Sequence, residues 1–202
     1  MEVTTARFLL REFVEADRPA FLAYHADPRN VAFYGPDEAR PEHAGHLFET
    51  FQAWASERPR LNYQLAIVHR QEPQALVGCC GLRGAGRPAG EAELGLELAP
   101  DFWGRHGYAV EVGRALVDFG FGELMLDVIS GSTVSGNVRI ARMAEWFGAE
   151  VVATLPGPSW MSARDWSEVH WRIARERWEA HQSSSNRGAR LHRRPPPWRR
   201  NG

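Results

Sequence analysis

Apolar positions change period along this chain of 202 residues. Residues 40–58, RPEHAGHLFETFQAWASER, place Ala44, Leu47, Phe48, Phe51 and Trp54 at helical spacing. Residues 62–70, NYQLAIVHR, alternate as a half-buried strand does. Two more strands are expected at 75–84 (ALVGCCGLRG) and 90–100 (GEAELGLELAP). In the second of these Ala92, Leu94, Leu96 and Leu98 share one face, and Glu93 and Glu97 take the other. Short turns rich in Gly and Pro join the three, which predicts an antiparallel meander. Upstream, RFLLREF (7–13) reads as a first strand and EADRPAFLAYHAD (15–27) as a short helix begun by acids. Downstream the order changes: a helix over 108–121, a strand at 124–130, a helix within 136–150 ended by Gly148, a strand at 151–155 and a last strand at 167–175. No internal repeat is present.

Composition narrows the class. A hydrophobic content of 44% suits one core, so one domain is expected over 1–181. No run of about 18 apolar residues occurs, and the first residues lack the uninterrupted apolar stretch of a signal peptide. The expectation is a cytoplasmic protein without a membrane partner. All basic side chains except histidine are arginine. A Walker-type loop or a Schiff-base site, each of which needs a lysine, is excluded. The net charge of −1 hides an asymmetry. Residues 182–202 hold six arginines, no acid and little to bury, so they are expected as a disordered Arg/Pro-rich tail. That tail is the only part whose charge suits nucleic acid; a solvated appendage is the plainer reading. Cys79 and Cys80 are adjacent, hence on opposite faces of a strand, and are expected as small buried residues. The histidines show no metal-ligand spacing, and no metal is expected.

Between the strand ending at Pro100 and the helix from Tyr108 stands DFWGRHG (101–107). A glycine turn that feeds a helix N-terminus offers unpaired N–H groups and the positive end of the macrodipole to an anion. Arg105 and His106 add donors, and Gly104 and Gly107 leave the backbone approachable. Taken alone, the stretch also fits an ordinary strand-to-helix turn. Asn137, at the start of the next helix, fits an N-cap as well as a ligand contact.

Five stretches carry a family resemblance: TTARFLLREFVEADRPAF, ADPRNVAFYG, AELGLELAPDFWGRHGYAVEV, SGNVRIARMAEWFGAE and WSEVHWRIARERW. In their order and spacing they resemble the GNAT acyltransferase superfamily, most closely its RimJ/RimL-type branch. The resemblance covers about residues 5–181. It implies an α/β GNAT fold, with a mixed, mainly antiparallel sheet of six or seven strands flanked by about four helices. It implies an N-acetyltransferase that uses acetyl-CoA as cosubstrate. The pyrophosphate would sit on backbone N–H groups of Gly104, Arg105, His106, Gly107, Tyr108 and Ala109. The pantetheine would pair with main chain near Leu96 and Leu98, and Asn137 would reach the cofactor from the following helix. An N–H near Leu96 would hold the oxyanion of the attacked thioester.

Two features depart from the family pattern. The loop usually reads Q/R-x-x-G-x-G/A; here Gly104 stands at the Q/R position and the stretch before Gly107 is one residue longer. The helix after Asn137 carries Ile140 and Ala144 where relatives carry a Ser or Tyr proton donor. A thiol's pKa near 8.5 makes its thiolate a fair leaving group without that acid. The incoming amine still has to lose a proton, and Glu93 is the candidate catalytic base. The acceptor would be a primary amine, either a protein or peptide N-terminus or a small molecule, and the enzyme a monomer or homodimer. The alternative is a non-catalytic CoA-binding or regulatory module. Of the tryptophans near the end of the body, Trp171 suits the core, while Trp160, Trp166 and Trp178 suit either core or acceptor pocket.

Overall fold

Every strand-patterned stretch joins one sheet in the computed structural model, which describes residues 1–104 and 107–191. The strands are β1 (Glu2–Thr4), β2 (Phe8–Arg11), β3 (Asn62–His69), β4 (Glu72–Arg83), β5 (Glu91–Leu98), β6 (Val128–Val134), β7 (Glu150–Pro156) and β8 (Ser167–Ala174). They lie in the order β1-β2-β3-β4-β5-β6-β8-β7. Only β5 and β6 run parallel. The mixed, mainly antiparallel α/β architecture is the expected one, with eight strands instead of six or seven. The extra strand is β1, whose residues pair only with β2 at the sheet edge and show no alternation that would mark them.

Seven helices accompany the sheet among the described residues: α1 (Arg18–His25), α2 (Pro28–Val31), α3 (Pro41–Trp54), α4 (Tyr108–Gly122), α5 (Val138–Trp146), α6 (Ser159–Ser162) and α7 (Arg175–Leu191). α1, α3, α4 and α5 are the four expected. α2 and α6 are single turns. α7 runs through the boundary expected at 181/182 and reaches Leu191. Its Arg, Glu, Ala and Gln residues favour helix, and no proline interrupts before Pro195. Residues 192–202 lie outside the described residues. No helix among the described residues is long and apolar enough to cross a membrane.

The sheet divides the core into two clusters. Under α4 and α5 pack Phe8, Leu10, Leu65, Ile67, Cys80, Leu82, Leu94, Val112, Leu116 and Phe147. Under α1 and α3 pack Phe13, Phe21, Tyr24, Phe48, Phe51, Ala66, Val68 and Cys79. The two cysteines are free, buried and on opposite faces, as their adjacency requires. Strand alternation on β5 thus aims its leucines at α4, and its glutamates at the α1 side.

One carboxylate ties the first turn of α4 to the β1–β2 connection. Glu111 accepts from Thr5 Oγ1 at 2.6 Å, from the Arg7 backbone N at 2.8 Å and from Arg7 Nε at 2.6 Å. Burial raises its pKa, but these three donors more than offset that, so the pKa ends below the ordinary carboxylate value. A depressed carboxylate pKa stabilises the fold above the unfolded-state value and loses that contribution as pH falls through the folded one. Glu111→Gln is therefore expected to cost about 1–2 kcal/mol near neutral pH. The difference from the parent should fade below about pH 4. Urea unfolding at a series of pH values measures both.

Candidate active site

The sheet opens between its two parallel strands. β5 and β6 pair only over Glu91↔Val128, Ala92↔Ile129 and Glu93↔Ser130. At the closed end the Gly90 carbonyl accepts from both Asp127 N (2.7 Å) and Val128 N (3.2 Å). Beyond Glu93 the strands part. Ala99 N donates to Val77 O on the β4 side at 2.8 Å. Peptide groups alternate sides along a strand, so those of Leu94, Leu96 and Leu98 face the gap. The Leu98 carbonyl is already engaged by the Trp103 indole N–H at 2.6 Å. Leu96 keeps both its donor and its acceptor on the gap, and Leu98 keeps its donor. A cavity of ≈1110 Å³ fills the opening and reaches from His25 and Tyr34, past β5, to Gly104, Gly107 and Asn137.

The loop at one end of this cavity has the backbone its glycines suggest. Gly104 and Gly107 have φ of 67° and 69°, a region open to glycine at little cost. A Cβ at either position would meet nothing within 4 Å, so the space beside the backbone is free for a ligand. Gly107 caps α4, and the first helical bond runs from Glu111 N to Gly107 O at 3.0 Å. The N–H groups of Tyr108 and Ala109 precede that bond and point out of the helix end. The acid in this turn, Glu111, is committed to Arg7 and Thr5. The expected contacts Arg105 and His106 lie outside the described residues.

Asn137 separates its two readings. It is the N-cap of α5, and its carbonyl accepts from Ile140 N at 3.1 Å, but its side chain makes no cap hydrogen bond. The amide lines the cavity instead. Trp171 lines it too, and its buried indole N–H has no hydrogen-bond partner among the described residues.

The two glutamates of β5 have different surroundings. Glu93 is held by Arg87 Nη2 at 2.5 Å, with Arg83 Nη2 at 3.8 Å. It stands at the closed end of the gap, where a smaller cavity of ≈600 Å³ also meets it. Glu97 stands at the open end. It accepts from the Tyr34 hydroxyl and lies 3.3 Å from His25 Nε2. Burial, then the Glu97 charge, pushes the Tyr34 pKa well above its ordinary value, so the phenol stays a donor.

The fold is shared with known proteins. The acetyltransferase (GNAT) domain family model matches residues 7–150. The chain belongs to the GNAT family. It is an N-acetyltransferase, and the family uses acetyl-CoA. It is 28% identical over 140 residues to the uncharacterized N-acetyltransferase YoaA of Bacillus subtilis, covering 69% of this chain and 77% of that one. A GNAT-family acetyltransferase from Bacillus anthracis superposes with a TM-score of 0.70 at 21% identity, covering 87% of this chain and 99% of that one. The spermidine N-acetyltransferase of Vibrio cholerae, crystallised with CoA and spermine, superposes at 0.68 with 15% identity, covering 85% and 97%. At these identities the superpositions show the fold alone.

Within this GNAT enzyme Ile140 lines the cavity and Ala144 is buried in the core, so α5 offers no hydroxyl at either place. Trp160 lines the cavity on the side of Phe33 and Tyr34. Trp166 stacks on Phe33, with centroids 6.0 Å apart. Trp178 is core: it is 3% exposed, packs on Phe147 and donates to Asp118 at 2.9 Å. Sequence reasoning passed over the grouping of His25, Tyr34 and Glu97. The signal for it was present in part, since Glu97 shares the strand face of Glu93. Because the Asn137 amide makes no cap bond, Asn137→Ala should change stability by less than about 0.5 kcal/mol, against about 1 kcal/mol for a working cap. Thermal unfolding of the variant checks this.

Proposed function

We propose that this GNAT enzyme transfers the acetyl group of acetyl-CoA to a primary amine by direct attack on the thioester. One observation supports the reading above the others: an unpaired stretch of β5 main chain faces a cavity that continues to the N-terminus of α4. Buried peptide groups need partners. The pantetheine arm has two amides and suits the open groups of Leu96 and the Leu98 N–H. The diphosphate suits the N–H groups at Gly107, Tyr108 and Ala109 beside the open Gly104, with Arg105 and His106 belonging to the same loop. Asn137 has a free amide for the cofactor. An oxyanion formed on the thioester carbonyl would be met by the Leu96 N–H.

The acceptor enters from the other end. There the cavity is lined by Asp37, Glu38 and Glu97 together with Phe33, Tyr34 and Trp160. Carboxylates and aromatic faces suit a cation, and a primary amine arrives as one. Both a protein N-terminus and a small polyamine have this chemistry; the spermine in the Vibrio cholerae neighbour belongs to the second kind. Glu93 and Glu97 both lie on the acceptor side of β5 and are the two carboxylates placed to take the ammonium proton.

The absence of a hydroxyl at Ile140 and Ala144 favours a second reading, a CoA-binding module without turnover. Calorimetry with coenzyme A and acetyl-CoA, followed by thiol-release assays on a panel of amines and peptides, separates the two. The enzymatic reading expects binding at micromolar concentration and thiol release that depends on an amine. Binding without turnover favours the module, and absence of binding overturns both. Asn137→Ala is expected to weaken coenzyme A binding by about tenfold, the equivalent of one lost neutral hydrogen bond.

A further inference from the structure

The carboxylate of Glu97 is met by three groups, from α1, β4 and the loop after α2. The Tyr34 hydroxyl donates to Oε1. The Cys79 thiol of β4 faces Oε2 at 3.9 Å. His25 Nε2, from the last turn of α1, lies 3.3 Å from the same Oε2. The far side of the imidazole decides what that contact means. His25 Nδ1 lies 3.1 Å from the Phe21 carbonyl oxygen, which can only accept, so Nδ1 carries the ring's proton. The neutral ring then presents the lone pair of Nε2 to an ionised carboxylate oxygen. Two acceptors face each other with no hydrogen between them, and one proton placed there satisfies both.

We propose that the His25–Glu97 pair is the proton acceptor for the amine substrate, with Glu97 binding the ammonium and His25 sharing the proton it gives up. This rests on the reading that the enzyme acetylates a primary amine. The exposures suit the division: the Glu97 side chain is 32% exposed toward the cavity, while that of His25 is 5% exposed behind it. Gln64, buried and lining the same cavity, has a side-chain Oε1 with no partner among the described residues and supplies a second acceptor for the ammonium. Glu93 is differently placed, because Arg87 and Arg83 hold it and an ammonium would have to displace a guanidinium.

The groups around His25 act in both directions, and the net shift is downward. Burial, the largest influence, pulls its pKa below the ordinary value, Glu97 and the Phe21 carbonyl oppose that, and His43 of α3 lowers it again. Tyr24 of α1 packs tilted against the ring and Tyr34 stacks on it, at 4.4 and 6.5 Å between centroids, and Cys79 faces Glu97 from β4; all three stay protonated at neutral pH. His25 is therefore neutral at neutral pH and presents its Nε2 lone pair toward Glu97.

The steps balance. The ammonium gives one proton to the pair, which later returns it to solvent. The neutral nitrogen attacks the thioester carbonyl carbon, the C–N bond forms and the C–S bond breaks. The nitrogen's second proton goes to the departing sulfur, giving amide and thiol. No hydroxyl on α5 is needed.

The test uses full-length enzyme and pH profiles of kcat/KM for two acceptors, an alkyl amine with pKa near 10 and a hydrazide that is neutral throughout the assay range. The parent should show a plateau for the alkyl amine above the acid limb set by the pair. Glu97→Gln and His25→Gln should lower kcat/KM for it by about 10²–10³ at neutral pH. Their rates should instead climb about tenfold per pH unit as free amine appears. With the hydrazide both variants should fall less than about tenfold, an outcome that a purely structural role would not produce. Coenzyme A binding and thermal unfolding of each variant report on folding. Equal losses with both acceptors, or a parent-like profile, overturn the proposal, as does transfer of the pH signature to Glu93→Gln. If the parent itself acetylates no amine, the enzymatic reading falls and this inference with it.

Discussion

The parting of β5 from β6 is the constraint on which the rest of the structure depends. A parallel pair that stops after Glu93↔Ser130 leaves the peptide groups of Leu96 and the Leu98 N–H turned toward a cavity. An open strand edge of this kind can pair with water or with another polar chain. The fold pins the opening at both ends. Gly90 holds Asp127 and Val128 at the closed end, and the Trp103 indole ties the Leu98 carbonyl into the loop at the other. Gly131 of β6 leaves room for the Trp171 ring, which lies where its Cβ would be. The pocket and the strand edge are thus one feature, and the helix that follows adds its N-terminus to the same cavity.

Charge placement follows from that opening. Most acids near the sheet ends are engaged by arginine: Asp17 with Arg11, Glu12 with Arg60, Glu111 with Arg7, Glu93 with Arg87. The Glu111–Arg7 pair ties α4 to the β1–β2 connection, and the Asp17–Arg11 pair ties β2 to the turn before α1. No salt bridge from an arginine reaches Glu97 among the described residues. Its partners are a phenol, an imidazole and a thiol, which orient the carboxylate without supplying a permanent counter-charge. An incoming ammonium meets an acid that is held in place and still has charge to share.

Much of this was legible in the sequence, for local reasons. The alternation at 91–98 marks β5 and its two faces because one face is buried under α4 and the other is not. Gly104 and Gly107 mark a loop that needs positive φ, and Gly148, with φ 71°, marks the end of α5. What escaped was non-local or unpatterned. β1 is a three-residue edge with nothing to alternate against. The arginines around Glu93 come from the β4–β5 turn and from β4, and strand spacing says nothing of where their guanidiniums go. His25, Tyr34 and Glu97 are far apart in the chain, and only the packing of α1 against β4 and β5 brings them together.

Cys79 shows why a direct transfer suits this site. A thiol beside a thioester pocket is a potential nucleophile, and an acyl-cysteine would divert the acetyl group. Burial, then the Glu97 charge, pushes the Cys79 pKa up to about 12. Only the thiolate attacks at a useful rate, and at neutral pH it amounts to about one molecule in 10⁵. On the proposed mechanism, an amine that has delivered its proton to the same carboxylate is fully nucleophilic at that pH. One negative charge therefore acts in opposite directions on two neighbours: it suppresses ionisation of the thiol, which would become an anion, and it draws in the ammonium, which is a cation. The selectivity for the amine over the enzyme's own sulfur follows from the sign of each group's charge.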